Sequence, residues 1–169
     1  MSLSVSYVRP AAHPFGRIAK RALDIAFSAT VLVLGMPVFL LIALAIKLYD
    51  GGPVLFWQTR VGKDGAEFPF PKFRSMVVNA EALRVQLEAA NQHGAQGVTF
   101  KMRQDPRITP VGRLLRKLSL DEMPQFWCVL KGDMSLVGPR PALPKEVARY
   151  SESDRRRLGA MPGLTCIWQ

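Results

Sequence analysis

The stretch LSLDEMPQFW, residues 118–127, sets two adjacent carboxylates, Asp121 and Glu122, directly behind a basic segment. Between Lys101 and Lys117 six cationic residues (Lys101, Arg103, Arg107, Arg113, Arg116, Lys117) stand against one acid, Asp105. An ionised carboxylate can attack phosphorus if nearby cations neutralise the repulsion between two anions. A carboxylate pair can also hold a divalent cation. Arginines suit such a site because the planar guanidinium grips phosphate oxygens in pairs. Arg113 and Arg116 precede the pair, and Arg140 follows in a rigid Gly-Pro-Arg-Pro loop. A structural reading stands beside the chemical one. Ser119 and Glu122 have capping-box spacing ahead of an apolar run, and a helix start favours ionised carboxylates.

The elements that must position these residues follow from periodicity and punctuation. Pro124 lies just after the pair, so the helix through FWCVL starts near Asp121. Thr109 before Pro110 predicts a short helix with Thr as N-cap, apolar on one side and basic on the other. VLFWQTR and EFPFPKFRSM, joined by a KDG turn, read as a hairpin, with Pro69 and Pro71 restricting the second piece to an edge or irregular strand. Residues 79–92 and about 145–158 read as helices.

The run from Ile25 to Ile46 holds 22 residues without a charge. As a straight helix it measures about 33 Å, enough for a hydrocarbon core of about 30 Å. Gly35 and Pro37 interrupt its middle, and basic residues flank both ends. Both flanks are thereby drawn to the cytoplasmic side, which suits a helix-break-helix entering and leaving by one face. A proline-kinked spanning helix remains the alternative from these residues alone.

A formal charge of +10 and a pI near 10.2 point to anionic partners. No nucleic-acid motif accompanies the charge. Two cysteines, Cys128 and Cys166, without a CxxC pair, give no zinc site or disulfide framework. One domain is expected at this length.

Taken together, KRALDI, the proline-broken apolar run, FPKFRSM, DPRITPVGRLLRKLSLDEMPQFWCVLKGDMSLVGPRPALP and PGLTCIWQ resemble the bacterial sugar transferases, the monotopic polyprenyl-phosphate phosphoglycosyl transferases. The resemblance implies an α+β fold: a small, mainly helical catalytic domain with a short β-hairpin and an N-terminal re-entrant membrane helix-break-helix. It divides the chain into a mobile leader at 1–19, a membrane hairpin at 20–49 and a cytoplasmic catalytic domain at 50–169, without the family's usual C-terminal tail. It implies transfer of a sugar-1-phosphate from a UDP-sugar to polyprenyl (undecaprenyl) phosphate, with release of UMP. This would begin surface-glycan or exopolysaccharide assembly on the cytoplasmic face of the bacterial inner membrane.

The same resemblance makes Asp121 the nucleophile that forms a phosphosugar-aspartyl intermediate. Glu122 would hold Mg²⁺ with Asp121 or manage the acceptor's proton, two roles left open. Arg116 and Arg140 are implied as phosphate and nucleotide contacts, with Lys72, Arg74 and Arg113 as further substrate-binding candidates. Pro37 is implied as the helix break. Expected partners are the UDP-sugar, polyprenyl phosphate and membrane lipid, not nucleic acid, with homo-oligomerisation left open. A non-enzymatic basic anchor that binds anionic lipid or nucleic acid is the competing reading.

Overall fold

The computed structural model describes residues 14–87, 102 and 105–166. In chain order the elements are helix α1 (Pro14–Asp50), strands β1 (Leu55–Val61) and β2 (Glu67–Phe73), helices α2 (Ala80–Leu87), α3 (Pro110–Lys117) and α4 (Phe126–Lys131), strand β3 (Ser135–Val137), short helices α5 (Pro144–Val147) and α6 (Glu152–Arg155), and strand β4 (Gly163–Thr165). The α+β class, mainly helical with a short hairpin, stands as expected.

Helix α1 is long and apolar enough to cross a membrane, and little of it is buried. It runs as one helix of 37 residues with Pro37 inside it. The expected helix-break-helix is therefore not confirmed as a break in the helix. An interior proline forfeits one backbone hydrogen bond and bends the axis, while the turns on either side persist. The helix already begins at Pro14, so the last residues of the expected leader are helical; residues 1–13 lie outside the described part.

Both ends of α1 rest on the rest of the protein. Toward the N-terminal end, Arg21 donates to the carbonyls of Val129 (2.6 Å) and Leu130 (2.7 Å), capping the last turn of α4. One turn on, the Asp24 carboxylate accepts from Ser135 Oγ at 2.8 Å and from the Leu136 N–H at 3.1 Å, and pairs with Lys20. Phe27 meets Phe126, with ring centroids 6.0 Å apart. Toward the other end, Ile42 and Ile46 are buried with Phe73 and Leu115, and Phe39 joins them. Phe39 reaches this cluster by folding back over Gly35, where an added Cβ would lie 2.5 Å from its ring.

Strands β1 and β2 pair antiparallel from Leu55↔Phe73 to Val61↔Glu67. The prolines do not make β2 irregular. At a spacing of two they share the edge facing away from β1, where no backbone donor is needed. Alternation then directs Phe68 and Phe70 to one face, where they pack with Cys128, Val129 and Met134 as one of two core clusters.

Helix α3 starts as expected: Thr109 Oγ1 accepts from the Gly112 N–H at 2.9 Å, and Pro110 follows. Its first turn lies so close to the chain after β2 that a Cβ on Gly112 would stand 1.9 Å from the Ser75 carbonyl oxygen. Nearby, Arg107 and Asp105 form a buried pair at 2.6 Å.

Two local expectations change. The segment after α3 is a 3₁₀ helix, Leu120–Gln125, ahead of α4, because Pro124 lacks an N–H for regular helix. The expected helix at about 145–158 is instead α5, α6 and a 3₁₀ turn at Arg156–Gly159. Ser151 starts α6 afresh as its N-cap, accepting from the Asp154 N–H at 3.3 Å. Of the helix expected at 79–92, Ala80–Leu87 is described and the remainder lies outside the described residues.

Candidate active site

The carboxylate pair sits in the 3₁₀ helix, but the capping box does not form. Ser119 is left-handed, at φ 55°, and its side chain caps no N–H. Such a conformation is unusual for a residue with a side chain. With the hydroxyl turned from its capping role, the Glu122 carboxylate is free for another partner.

That partner is Lys72, near the end of β2, whose Nζ lies 2.5 Å from Glu122 Oε1. The lysine head also stands 5.6 Å from the centre of the Phe70 ring, within cation–π range. β2 packs closely on the 3₁₀ helix, so the hairpin delivers this cation to the dyad. Burial pushes Glu122 toward its neutral form, but the Lys72 hydrogen bond and charge, aided by Arg140, hold it below the usual carboxylate range.

Asp121 behaves in the opposite sense. Only 8% of its surface is exposed. Burial raises its pKa; Lys72 opposes this, the neighbouring Glu122 charge adds to it, and Arg116 opposes it more weakly. The two adjacent carboxyls are therefore pushed apart in acidity, as in sites that need one fixed charge and one reactive group.

Arg116, in the last turn of α3, donates from Nε to Ser75 Oγ at 2.8 Å, leaving the two terminal nitrogens of its fork for other acceptors. Arg140 is exposed in the loop before α5, and its charge reaches both Glu122 and Arg60. Its loop is tied to β1 by the Val61 N–H, which donates to the Ala142 carbonyl at 2.9 Å. Lys72, Arg116 and Arg140 thus approach the dyad from three separate elements.

Arg74 is buried and paired with Asp50, at the end of α1. Arg113 is exposed on α3, and Pro37 is in the interior of α1. Sequence reasoning missed Asp24 and Arg60. A lone acid at the edge of an apolar run was the available signal for Asp24, since burying it demands partners. In the sequence Arg60 is one more basic residue beyond the apolar run, and nothing local marks it as buried.

Among the described residues no group of three or more His, Cys, Asp or Glu could hold a metal. Asp121 and Glu122 are the residues that could hold Mg²⁺, which commonly takes one or two carboxylates and completes its shell with substrate phosphates and water. Burial disfavours ionisation of Asp121, and a nearby divalent cation would oppose that effect.

The bacterial sugar transferase family model matches residues 15–169. The chain is 48% identical over 153 residues to the galactosyl transferase CpsE of Streptococcus agalactiae, covering 90% of this chain and 33% of that protein. It is 47% identical over 157 residues to the undecaprenyl-phosphate galactose phosphotransferase of Salmonella typhimurium, covering 90% and 32%. It is 41% identical over 164 residues to the exopolysaccharide production protein ExoY of Rhizobium meliloti, covering 94% and 71%. The chain thus spans about a third of the first two relatives and most of the third.

Proposed function

We propose that this chain, which belongs to the bacterial sugar transferase family, transfers a sugar-1-phosphate from a UDP-sugar to undecaprenyl phosphate. The observation that carries the reading is the carboxyl pair itself: Lys72 and Arg116 act on a buried aspartate, and Lys72 and Arg140 on its neighbouring, already ion-paired glutamate. An anchor without catalysis has no use for a carboxylate held in so unfavourable a place. The relatives that bear a named substrate or product point the same way.

In the first step an Asp121 carboxylate oxygen attacks the β-phosphorus of the UDP-sugar. The bond from that phosphorus to the bridging oxygen breaks, and UMP departs with the bridging oxygen and the electron pair. The sugar phosphate is then held as an acyl phosphate on Asp121. In the second step an oxygen of the lipid phosphate attacks the same phosphorus. The bond to Asp121 breaks, restoring the carboxylate and forming a polyprenyl diphosphate sugar. Arg116 binds phosphate oxygens through both steps, and Arg140 holds the diphosphate of the nucleotide sugar in the first. Lys72 holds Glu122 in place and adds positive charge beside the reacting phosphoryl group. When bound by Asp121 and Glu122, Mg²⁺ would supply neutralisation of diphosphate charge.

The reaction belongs at the cytoplasmic face of the bacterial inner membrane, where UDP-sugars are made. Contacts at both ends of α1 with one body, on either side of the exposed apolar residues Val33, Leu34, Met36 and Val38, support a helix that enters and leaves by that face. Leaving the dyad at headgroup depth would place it beside the acceptor phosphate.

The test uses the full chain in nanodiscs with Mg²⁺, undecaprenyl phosphate and a panel of UDP-sugars. UMP release, and a phosphosugar adduct on Asp121 when the acceptor is withheld, are expected. Turnover by Asp121→Asn at the wild-type rate would eliminate the covalent route. No UMP from folded protein across the panel would eliminate the activity.

A further inference from the structure

Arg60 is 7% exposed, yet among the described residues no carboxylate lies within ion-pairing distance of it. Nη1 donates to the Pro141 carbonyl at 3.1 Å and Nη2 to Gln58 Oε1 at 2.8 Å. Nε is buried without a partner, and the guanidinium carbon lies 5.3 Å from the centre of the Phe70 ring. A buried charge with no counter-ion is costly, and an apolar residue of similar size would fill the space more favourably. The position asks for a reason beyond packing.

The loop it holds supplies one. Arg60 grips the Pro141 carbonyl, and the next residue, Val61, grips the Ala142 carbonyl at 2.9 Å. Two consecutive residues of β1 therefore fasten two consecutive residues of the loop that presents Arg140. Arg140 makes the Arg60 charge less favourable, after burial itself, while Glu146 and Glu122 favour it. Two like charges held near one another, beside a single reactive dyad, suit an anion that engages the exposed one.

We infer that Arg60 is a positioning residue for the nucleotide diphosphate: through the Pro141 carbonyl it fixes the loop so that Arg140 faces the dyad. The inference rests on the transferase reading for its substrate. A lysine cannot replace Arg60, because one ammonium cannot bond Gln58 and Pro141 in these two directions.

The test compares wild type, Arg60→Met, Arg60→Lys, Arg140→Gln and the Arg60→Met/Arg140→Gln double variant, all full chain in nanodiscs. It reads KM for the UDP-sugar, KM for undecaprenyl phosphate, kcat, and equilibrium binding of UDP. Arg60→Met is expected to raise the UDP-sugar KM about tenfold and to weaken UDP binding in proportion. The undecaprenyl phosphate KM should stay within about twofold, and Arg60→Lys should behave like Arg60→Met. The double variant should be no worse than Arg140→Gln alone, because the two residues act as one. If Arg60→Met does not fold, Arg60→Lys carries the same comparison. Additive losses, or a wild-type UDP-sugar KM in Arg60→Met, would show Arg60 to be packing only. Weaker UDP binding in the Arg60 variants, from a wild type that transfers no sugar, would uphold the positioning role and defeat the transferase reading. Folded wild type that binds no UDP would overturn both.

Discussion

Lys72 and Glu122 stand fifty residues apart in the sequence and 2.5 Å apart in the structure. The strand brings the cation and the 3₁₀ helix brings the anion. Against burial, this pairing keeps Glu122 acidic, and the first prediction follows from it.

Replacing Lys72 with Met removes the hydrogen bond and charge that hold Glu122 below its usual pKa, so that carboxyl will titrate higher. Asp121 loses an opposing charge as well. Turnover should fall by about 10²-fold, a size typical of losing one charged group that acts on the reacting centre. The acid limb of the kcat/KM profile should move to higher pH. An unmoved limb would show that Lys72 does not govern the dyad.

Asp121→Asn should abolish turnover while stabilising the protein at neutral pH. The folded-state pKa of Asp121 is raised. Its contribution to stability is thus fully present below the unfolded value and is lost as pH rises through the folded one. At neutral pH the ionised, buried carboxylate is a cost that Asn does not carry. A gain of about 1 kcal/mol, or roughly 2–4 °C in Tm, is expected, and it should vanish in acid. Thermal melts of both proteins at neutral and acidic pH measure it.

Glu122 carries the opposite sign. Its pKa is lowered, so its contribution is present above the unfolded value and is lost as pH falls through the folded one. Glu122→Gln should therefore destabilise at neutral pH, and the difference from wild type should shrink in acid. Chemical denaturation across that range provides the check.

Asp24→Ala leaves the Ser135 hydroxyl and the Leu136 N–H without their acceptor. Losing a buried acceptor of this kind costs about 1–3 kcal/mol. Limited proteolysis in detergent should then cut more readily in the N-terminal turns of α1. Asp24→Asn, which keeps an acceptor, should lose less.

Gly112→Ala forces a methyl group onto the Ser75 carbonyl, an approach of 1.9 Å that neither backbone can accommodate unchanged. A loss of about 1–3 kcal/mol is expected. Because Ser75 also binds Arg116, the variant should raise the UDP-sugar KM even where it remains folded. Melting and kinetics together resolve the two effects.

Much of the site was legible because its chemistry is concentrated in short segments. Asp121 and Glu122 are adjacent, Arg116 lies just ahead, Arg140 is marked by flanking prolines, and the KDG turn aligns β1 with β2 so that Lys72 can arrive. What stayed hidden was decided across the chain. Ser119 and Glu122 had ideal capping spacing, but a lysine on another strand offered the glutamate a better partner. Arg74 shared a motif with Lys72, yet it stands just past the end of β2, where it pairs with Asp50 at the end of α1 instead. The restart at Ser151 was written in a local Ser-x-x-Asp pattern and could have been read.

Arg74 and Ser75 are consecutive, and each fastens something different: one the last residue of the long apolar helix, the other the guanidinium of Arg116. A single peptide unit therefore serves as the joint between anchorage and chemistry. In the membrane-seated transferase proposed above, re-seating that helix at another depth, by shortening or lengthening it, would drag Arg116 along, so that lipid thickness and catalytic geometry become one variable.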